Sequence, residues 1–305
     1  RLANFDLLWQ TLDEKYTYFT YKNIDWQALR NKYRPLAAAA KDEEALFQVM
    51  GDLLYELKDG HVNLYSYFDI SRNWEWYLPY PPNFDFNVLE RNYLGDDYQI
   101  AGAFRTKIIR NTGYIYYGSF QSPVTSLTIR ELLQKYKQAN VKGIIIDIRD
   151  NGGGSLGTAD LIIQHFLSQK TLIGYTRYKN GPAHDDFTEY FPTELEPTSE
   201  TFTGKVVLLT NRSVFSAANY FAAALSQLPN VTIIGDQTGG GGGAPITAEL
   251  QIGWRVRYSG TQLFNADKEH LEPGVVPDIK LDISQADQIN GKDTILERAL
   301  DLLNQ

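Results

Sequence analysis

The chain contains no cysteine, one methionine and four histidines. The absence of cysteine excludes disulfide bonds, thiolate zinc sites and a cysteine nucleophile. No stretch is long and apolar enough to predict a membrane-spanning segment. Positive charge is scarce as well, because the formal net charge is −8 and the isoelectric point is about 5.1. This balance argues against a polyanion-binding surface, so we expect neither a nucleic-acid-binding nor a membrane-embedded protein.

The remaining composition is that of an ordinary globular protein, with 43% hydrophobic and 22% charged residues. With 305 residues the chain exceeds one average domain, so we expect a large core and a smaller appended domain. The chain opens with Arg1, and no signal-peptide pattern follows it. We therefore take the sequence to be a trimmed or mature form that does not include a targeting segment.

Residues 1–63 predict a small N-terminal helical domain. Apolar residues at helical spacing follow Asn4, which is placed to cap the first helix. A second helix is expected to begin after Asp25 and to end at Pro35, because proline lacks the amide that continues a helix. A third is expected to begin after Asp42.

Two further regions complete the predicted organisation. Residues 64–110 contain aromatic pieces broken by proline and glycine, which indicates a β-rich connector. Residues 111–305 alternate strand and helix patterns, which predicts βα crossovers and a largely parallel, buried sheet. The expected order is strand 113–120, helix 123–139, strand 143–148, helix 155–167, strand 205–210, helix 216–228 and strand 231–236, then a hairpin at 246–260 and a final helix at 293–303.

Functional sites in open α/β sheets gather where strands end and helices begin. Three such places here have unusual sequences, at residues 147–157, 211–219 and 235–245. In the second, Ser216 stands where an alanine-rich helix should begin. Serine is a common helix N-cap, but a hydroxyl at the positive end of a helix, beside free backbone amides, can also act as a nucleophile. Both interpretations of Ser216 stay open at this point.

The glycines Gly152, Gly154 and Gly157 form a G-x-G-x-x-G pattern typical of dinucleotide-binding loops. Three residues separate this pattern from the preceding strand, and the acidic residue expected about 20 positions later is absent. A tight turn that exposes backbone amides explains the glycines better. Such a turn is what an oxyanion hole requires.

A nucleophilic serine needs a base, and lysine is not available nearby, because none occurs between Lys205 and Lys268. His61 follows an Asp-Gly turn after the third predicted helix, which makes it a candidate. His270 is close in sequence to Glu269 and Glu272 and is a second candidate. The other two histidines fit structural roles better, on an amphipathic helix and in a polar loop: His165 and His184.

Taken together, several segments resemble the S41 serine peptidases, which include C-terminal processing proteases and the tricorn protease core. The resemblance spans most of the chain and depends on the order and spacing of its motifs. These motifs are NFDLLWQTLDEKYTYF, DWQALRNKYRP, LKDGHVNL, NTGYIYYGSF, GIIIDIRDNGGG, LLTNRSVFSAANYFAAAL, IIGDQTGGGGG and EPGVVPDI.

The resemblance implies an α/β core of ββα units, as in the ClpP and crotonase group, and an endopeptidase that acts on extended peptides without a metal or cofactor. The nucleophile would be Ser216 and the base His61. Glu272 would orient the imidazole, directly or through water. The oxyanion hole would consist of the backbone amides of Ala217 and Gly153.

Departures from the family pattern refine these implications. A GGGGG run stands where processing proteases carry the lysine of their dyad, so the chain is more similar to the tricorn branch with its histidine base. Gly60 replaces the serine that precedes this histidine in tricorn, and Ala217 replaces the acidic residue that favours basic substrates there. Residues 64–110 are too few for a PDZ module.

Three function classes follow from these observations. The first is an active serine endopeptidase with peptide or protein substrates, exported to the periplasm or the cell surface. The second is a catalytically silent relative that binds peptides or lipophilic ligands, and the third is an acyl-CoA enzyme on a crotonase-like fold. For the first we expect a rise in activity through a histidine pKa of roughly 6 to 7, and a lower turnover in Glu272→Gln.

Overall fold

The computed structural model describes residues 1–305. The helices are α1 (Leu2–Lys15), α2 (Phe19–Lys22), α3 (Trp26–Ala39), α4 (Glu43–Tyr55), α5 (Phe86–Leu89), α6 (Ser126–Gln138), α7 (Leu156–Ile163), α8 (Ala217–Ser226), α9 (Gln285–Ile289) and α10 (Thr294–Asn304). The strands are β1 (Asn63–Tyr65), β2 (Gln99–Ala101), β3 (Phe104–Ile109), β4 (Thr112–Tyr116), β5 (Ile144–Asp147), β6 (Thr171–Tyr178), β7 (Phe191–Leu195), β8 (Val206–Thr210), β9 (Val231–Gly235), β10 (Pro245–Glu249), β11 (Arg255–Ser259), β12 (Thr261–Asn265) and β13 (Ile279–Lys280).

A seven-stranded sheet with the order β13-β9-β8-β5-β4-β3-β2 forms the centre of the core. Its strands run parallel from β4 to β13, whereas β2, β3 and β4 pair antiparallel. Every residue of β4, β5 and β8 is buried, as expected for strands covered on both faces. The predicted parallel α/β core is therefore confirmed.

The N-terminal helices share their hydrophobic core with a hairpin from the far end of the chain. Strands β10 and β11 form this hairpin, and β1 pairs with the other edge of β11. Buried residues of α1, α3 and α4 pack against Leu250, Trp254, Val256 and Tyr258 in one cluster. The helices therefore form around a β-element that the sequence separates from them by nearly 200 residues. No helix of the chain combines the length and the apolar character of a membrane crossing.

The helix boundaries predicted from capping residues and proline are partly confirmed. Asp25 and Asp42 cap α3 and α4 as predicted, and each carboxylate accepts a backbone amide at 2.8 Å. The expected end of α3 at Pro35 was wrong, since the helix runs on to Ala39. Pro35 is exposed, so water can bond to the carbonyl that lacks its amide partner, and the next turn buries Ala37. Asn4 lies inside α1 rather than capping it.

The region after α4 contains less β-structure and more helix than its sequence indicated. Asp85 caps a helical segment that continues from α5 through a π-helical turn over Glu90–Leu94. This segment is too short for a clear helical period, and it was missed. Strands β2 and β3 extend the central sheet. A separate sheet with the order β12-β6-β7 was also missed, because β7 and the ends of β6 are only partly buried and show no regular alternation.

Candidate active site

Ser216 lies between the end of β8 and the start of α8, on a sharp turn. Its backbone has a φ of 58° and a ψ of −122°, which is unusual for a residue with a side chain. Two bonds hold this conformation, because its amide donates to Gly240 at 2.9 Å and its carbonyl accepts from Tyr220 at 2.9 Å. The side chain makes no capping bond to the helix, so the N-cap interpretation of Ser216 does not apply.

The Ser216 hydroxyl instead meets the imidazole of His61. The distance from Oγ to Nε2 is 2.9 Å, although the two residues are 155 positions apart. The ring is buried against Phe215, with centroids 4.7 Å apart. Burial lowers the pKa of His61 to about 4, although the charge of Asp59 opposes this. At neutral pH the imidazole is therefore uncharged and can accept a proton at Nε2.

Asp59 is a buried carboxylate two residues before His61, and the sequence analysis missed it. It accepts the His61 amide at 2.8 Å, the Tyr16 hydroxyl at 2.9 Å and the Ser259 hydroxyl at 2.8 Å. Burial acts to raise the pKa of Asp59, but the charge of Lys22 and the bond from His61 hold the pKa below its usual value. The only sequence signal was its place in the LKDGH motif.

The structure does not bring Glu272 into contact with the His61 ring. Its carboxylate forms an ion pair with Lys22 at 2.7 Å and accepts the Gly242 amide at 2.8 Å. Burial raises the pKa of Glu272 above its usual value, and the nearby charge of Asp59 adds to this. His61 Nδ1 is buried and has no hydrogen-bond partner in the chain. Direct orientation of the imidazole by Glu272 is therefore not part of this geometry.

The proposed oxyanion donors lie beside Ser216 but differ in availability. The amide of Ala217, the first residue of α8, donates no hydrogen bond within the chain. Gly153 packs so tightly here that a Cβ would lie 2.8 Å from the Ala217 nitrogen. However, the Gly153 amide already donates to Asn151 Oδ1 at 3.0 Å. The neighbouring amides of Gly152 and Gly154 have no such partner, and both residues line the cleft.

The glycine run at 239–243 is neither a flexible surface loop nor an open approach path. Residues 240–243 are buried. A Cβ on Gly240 would lie 2.0 Å from the Glu272 carbonyl oxygen, and one on Gly241 would lie 2.6 Å from the Phe215 ring. Glycine is therefore needed for close packing behind the turn that carries Ser216.

The other histidines lie away from this pair. His165 is buried, with Nδ1 2.9 Å from the Glu200 carbonyl oxygen. His184 is less solvated than predicted, because it stacks on Phe19 and lies 2.9 Å from Asp13. The second candidate base, His270, packs among the rings of Tyr18, Tyr21 and Phe264. Its sequence neighbour Glu269 is exposed and bonds to Asn265.

A cleft of about 970 Å³ opens over Ser216 and His61. One wall comes from the segment 63–76, which carries several aromatic side chains, and another comes from Pro245 and Arg257 of the hairpin. The glycine turn at 152–154 and Gln121 complete it. A cleft of this size, open to solvent, can hold several residues of an extended peptide.

Comparison with known proteins identifies the family of the chain. The family model described as Peptidase family S41 matches residues 111–281, and the one described as Tricorn protease C1 domain matches residues 1–55. The first match covers more than half of the chain, so the chain belongs to peptidase family S41. The family expected from the sequence motifs is confirmed.

Individual relatives differ in how much they share with the chain. The carboxy-terminal processing protease CtpA of Bacillus subtilis (strain 168) is 30% identical over 174 residues, which is 57% of this chain and 35% of that protein. The chain thus spans about a third of the length of the curated relatives it matches. A solved structure from Parabacteroides merdae ATCC 43184 is 43% identical, with a TM-score of 0.94 over 99% of this chain and 96% of that chain.

A more distant likeness concerns the fold alone. Mature CPAF, solved in complex with lactacystin, is 12% identical and has a TM-score of 0.77, over 100% of this chain and 98% of that chain. The N-terminal helices and the central sheet are thus part of a fold that this chain shares with that structure.

Proposed function

We propose that the protein is a serine endopeptidase that cleaves extended or unfolded peptide segments. The observation that carries this proposal is the 2.9 Å distance between Ser216 Oγ and His61 Nε2 at the base of an open cleft. Two parts of the chain with separate hydrophobic cores supply the two groups. A nucleophile in hydrogen-bond reach of a neutral imidazole is the geometry that activates a serine.

The reaction follows from these contacts. Ser216 Oγ attacks the peptide carbonyl carbon while His61 Nε2 accepts the hydroxyl proton, and the charge that develops on the carbonyl oxygen faces the Ala217 amide. His61 then gives its proton to the leaving amine, and the C–N bond breaks to leave an acyl-enzyme. Water hydrolyses this ester with His61 again acting as the base. The Gly153 amide would have to release its bond to Asn151 Oδ1 before it could act as a second oxyanion donor.

The proposal is tested with a fluorophosphonate probe, which reacts covalently with activated serines. We expect labelling of the wild-type protein, at Ser216 as located by mass spectrometry, together with cleavage of unfolded casein. Ser226→Ala is a matched control, because that hydroxyl lies at the far end of α8, which Ser216 precedes, and bonds to the Ala223 carbonyl. Peptide binding without labelling or cleavage would instead indicate a silent peptide-binding relative. Export of the protein remains a prediction from the sequence.

The pH dependence should depart from the expectation drawn from the sequence. Since burial lowers the pKa of His61 to about 4, we expect the rising limb of kcat/KM well below the range of 6 to 7. Activity should be present above this pKa and should be lost as the pH falls through it, because a protonated ring cannot accept the Ser216 proton. The measurement is kcat/KM for an uncharged peptide from about pH 4 to about pH 9, with circular dichroism at each pH as the folding control. A midpoint near 6.5 would contradict a desolvated base.

The two buried carboxylates should differ in their effect on turnover. Asp59→Asn removes the negative charge that stabilises the His61 imidazolium, and we expect kcat to fall by roughly 10- to 100-fold, since one pKa unit corresponds to a tenfold change. Glu272→Gln keeps an acceptor for the Gly242 amide but loses the ion pair with Lys22, so we expect a loss of about tenfold or less. Thermal melts and circular dichroism would show whether both variants fold. A larger loss in Glu272→Gln would assign the orienting role to Glu272.

A further inference from the structure

Arg257 points toward the cleft because of its position on β11. Side chains alternate between the two faces of a strand, and Val256 and Tyr258 are buried against the N-terminal helices. Arg257 therefore faces the opposite side, where it lines the cleft together with Ser216 and His61. Burial is the main cause of the low pKa of His61, and the positive charge of Arg257 acts in the same direction.

The guanidinium of Arg257 has no partner within the chain. It forms no ion pair and no side-chain hydrogen bond, although the residue is half-buried. Its cross-strand neighbours are Asn63 on β1 and Thr247 on β10, and both are uncharged. An arginine usually finds a carboxylate or a carbonyl oxygen when it is partly removed from water, so this one is free for a ligand.

The cleft also has a charge balance that differs from the rest of the protein. Its other charged side chains, Asp69 and Arg72, lie 3.6 Å apart and offset each other. With His61 neutral, Arg257 leaves the cleft with an excess of one positive charge. The chain as a whole has a formal net charge of −8. The lining of the cleft therefore has the opposite sign of charge from the chain as a whole, which favours an anionic group locally.

We propose that Arg257 is a specificity-determining residue that binds a carboxylate of the peptide substrate within a few residues of the scissile bond. This inference rests on the proposed peptidase function and adds an acidic substrate class to it. The fork of N–H groups on a guanidinium matches a carboxylate with two parallel hydrogen bonds. Two sources carry this group, an acidic side chain and the C-terminal carboxylate of the substrate.

Cleavage of paired peptides tests the preference. The cleavage site of a quenched fluorescent peptide is first mapped by mass spectrometry. Pairs of this peptide then differ only by glutamate or glutamine at one of the three positions on either side of that site. A second pair would end near the cleavage site in a free carboxylate or in an amide. We expect kcat/KM to be about 10- to 100-fold higher for the acidic member at one position or for the free terminus, as for hydrogen bonds between charged groups. The ratio should fall with increasing salt.

Variants of two arginines on one strand separate this role from a general effect of charge. Arg257→Gln should bring the ratio between acidic and neutral peptides close to one. Arg255→Gln removes the same charge from the same face of β11, but Arg255 is exposed, lies outside the cleft and is opposite Glu249. We expect this control to keep the preference. We compare variants by their ratio of kcat/KM between the acidic and the neutral peptide, because a changed pKa of His61 affects the cleavage of both peptides equally.

Peptide binding by the Ser216→Ala variant distinguishes failure of the inference about Arg257 from failure of the peptidase proposal. Fluorescence anisotropy with labelled forms of the same peptides measures Kd without turnover. A tighter Kd for the acidic peptide, lost in the Ser216→Ala, Arg257→Gln double variant, supports the role of Arg257 even if the wild type cleaves nothing. Ratios within about twofold in wild-type cleavage and in binding would overturn it, as would a preference that persists in Arg257→Gln.

Discussion

Ser216→Ala is expected to abolish peptide cleavage and fluorophosphonate labelling while leaving the fold intact. The change removes the attacking oxygen at the turn before α8, and no other hydroxyl forms a hydrogen bond with His61 Nε2. In serine peptidases the loss of the nucleophile lowers kcat by at least about 10⁴-fold. The measurement is the initial rate of cleavage of a fluorescent peptide, with circular dichroism as the check on folding.

His61→Ala should have an effect of similar size, because the base and the nucleophile act as one unit. The double variant should therefore lose little more activity than either single variant. The Ser226→Ala variant, changed at the far end of α8, should cleave peptides at nearly the wild-type rate. If Ser216→Ala kept more than about one hundredth of the activity, a different nucleophile would have to be sought.

Arg149→Met is expected to give the largest loss of stability among single substitutions near the site. Arg149 is fully buried after β5 and forms ion pairs with Asp147 at 2.6 Å and with Asp293 at 2.8 Å. It also donates to the Asn83 carbonyl at 3.1 Å. Methionine would leave two buried carboxylates without a cation, and we expect the free energy of unfolding to fall by about 3 to 5 kcal/mol.

Chemical denaturation measures this change, with a surface ion pair as the control. Lys170 and Glu194 lie 2.9 Å apart and are both about half exposed, so Lys170→Met should cost about 0.5 kcal/mol or less. Arg149 lies three residues before the glycine turn at 152–154, and the rate of probe labelling should therefore fall as well. A loss below about 1 kcal/mol for Arg149→Met would mean that the carboxylates find other partners or become protonated.

Much of the core could be predicted from local sequence pattern. The strands β4, β5, β8 and β9 are short segments rich in aliphatic, β-branched or aromatic residues, and helices with clear signals follow β5 and β8. Such segments predict buried parallel strands without any knowledge of the partners. In contrast, the continuation of α3 through Pro35 depends on solvent at one carbonyl, and the helix after Asp85 depends on burial of Leu89 and Leu94. Neither effect is visible in a short window of sequence.

In the candidate site, too, local motifs predicted some residues, whereas tertiary packing determines the roles of others. Ser216 and His61 were found because each stands in a motif with a recognisable turn. The roles of Asp59, Lys22 and Arg257 depend on which distant charges surround them, and this is decided by tertiary packing. The same is true of Glu272, whose place in the sequence suggested a contact with His61 that its ion pair with Lys22 replaces.

The core shared by the N-terminal helices and the β10–β11 hairpin has a consequence for the newly made chain. A ribosome synthesises the helices first, but their apolar faces remain incompletely covered until Trp254 and Tyr258 have emerged. Until then the loop that presents His61 lacks the hydrogen bond from Ser259 to Asp59 and the pairing of β1 with β11. The imidazole and the hydroxyl of the proposed catalytic pair therefore meet only after the β10–β11 hairpin, which follows both residues in the chain, has been synthesised.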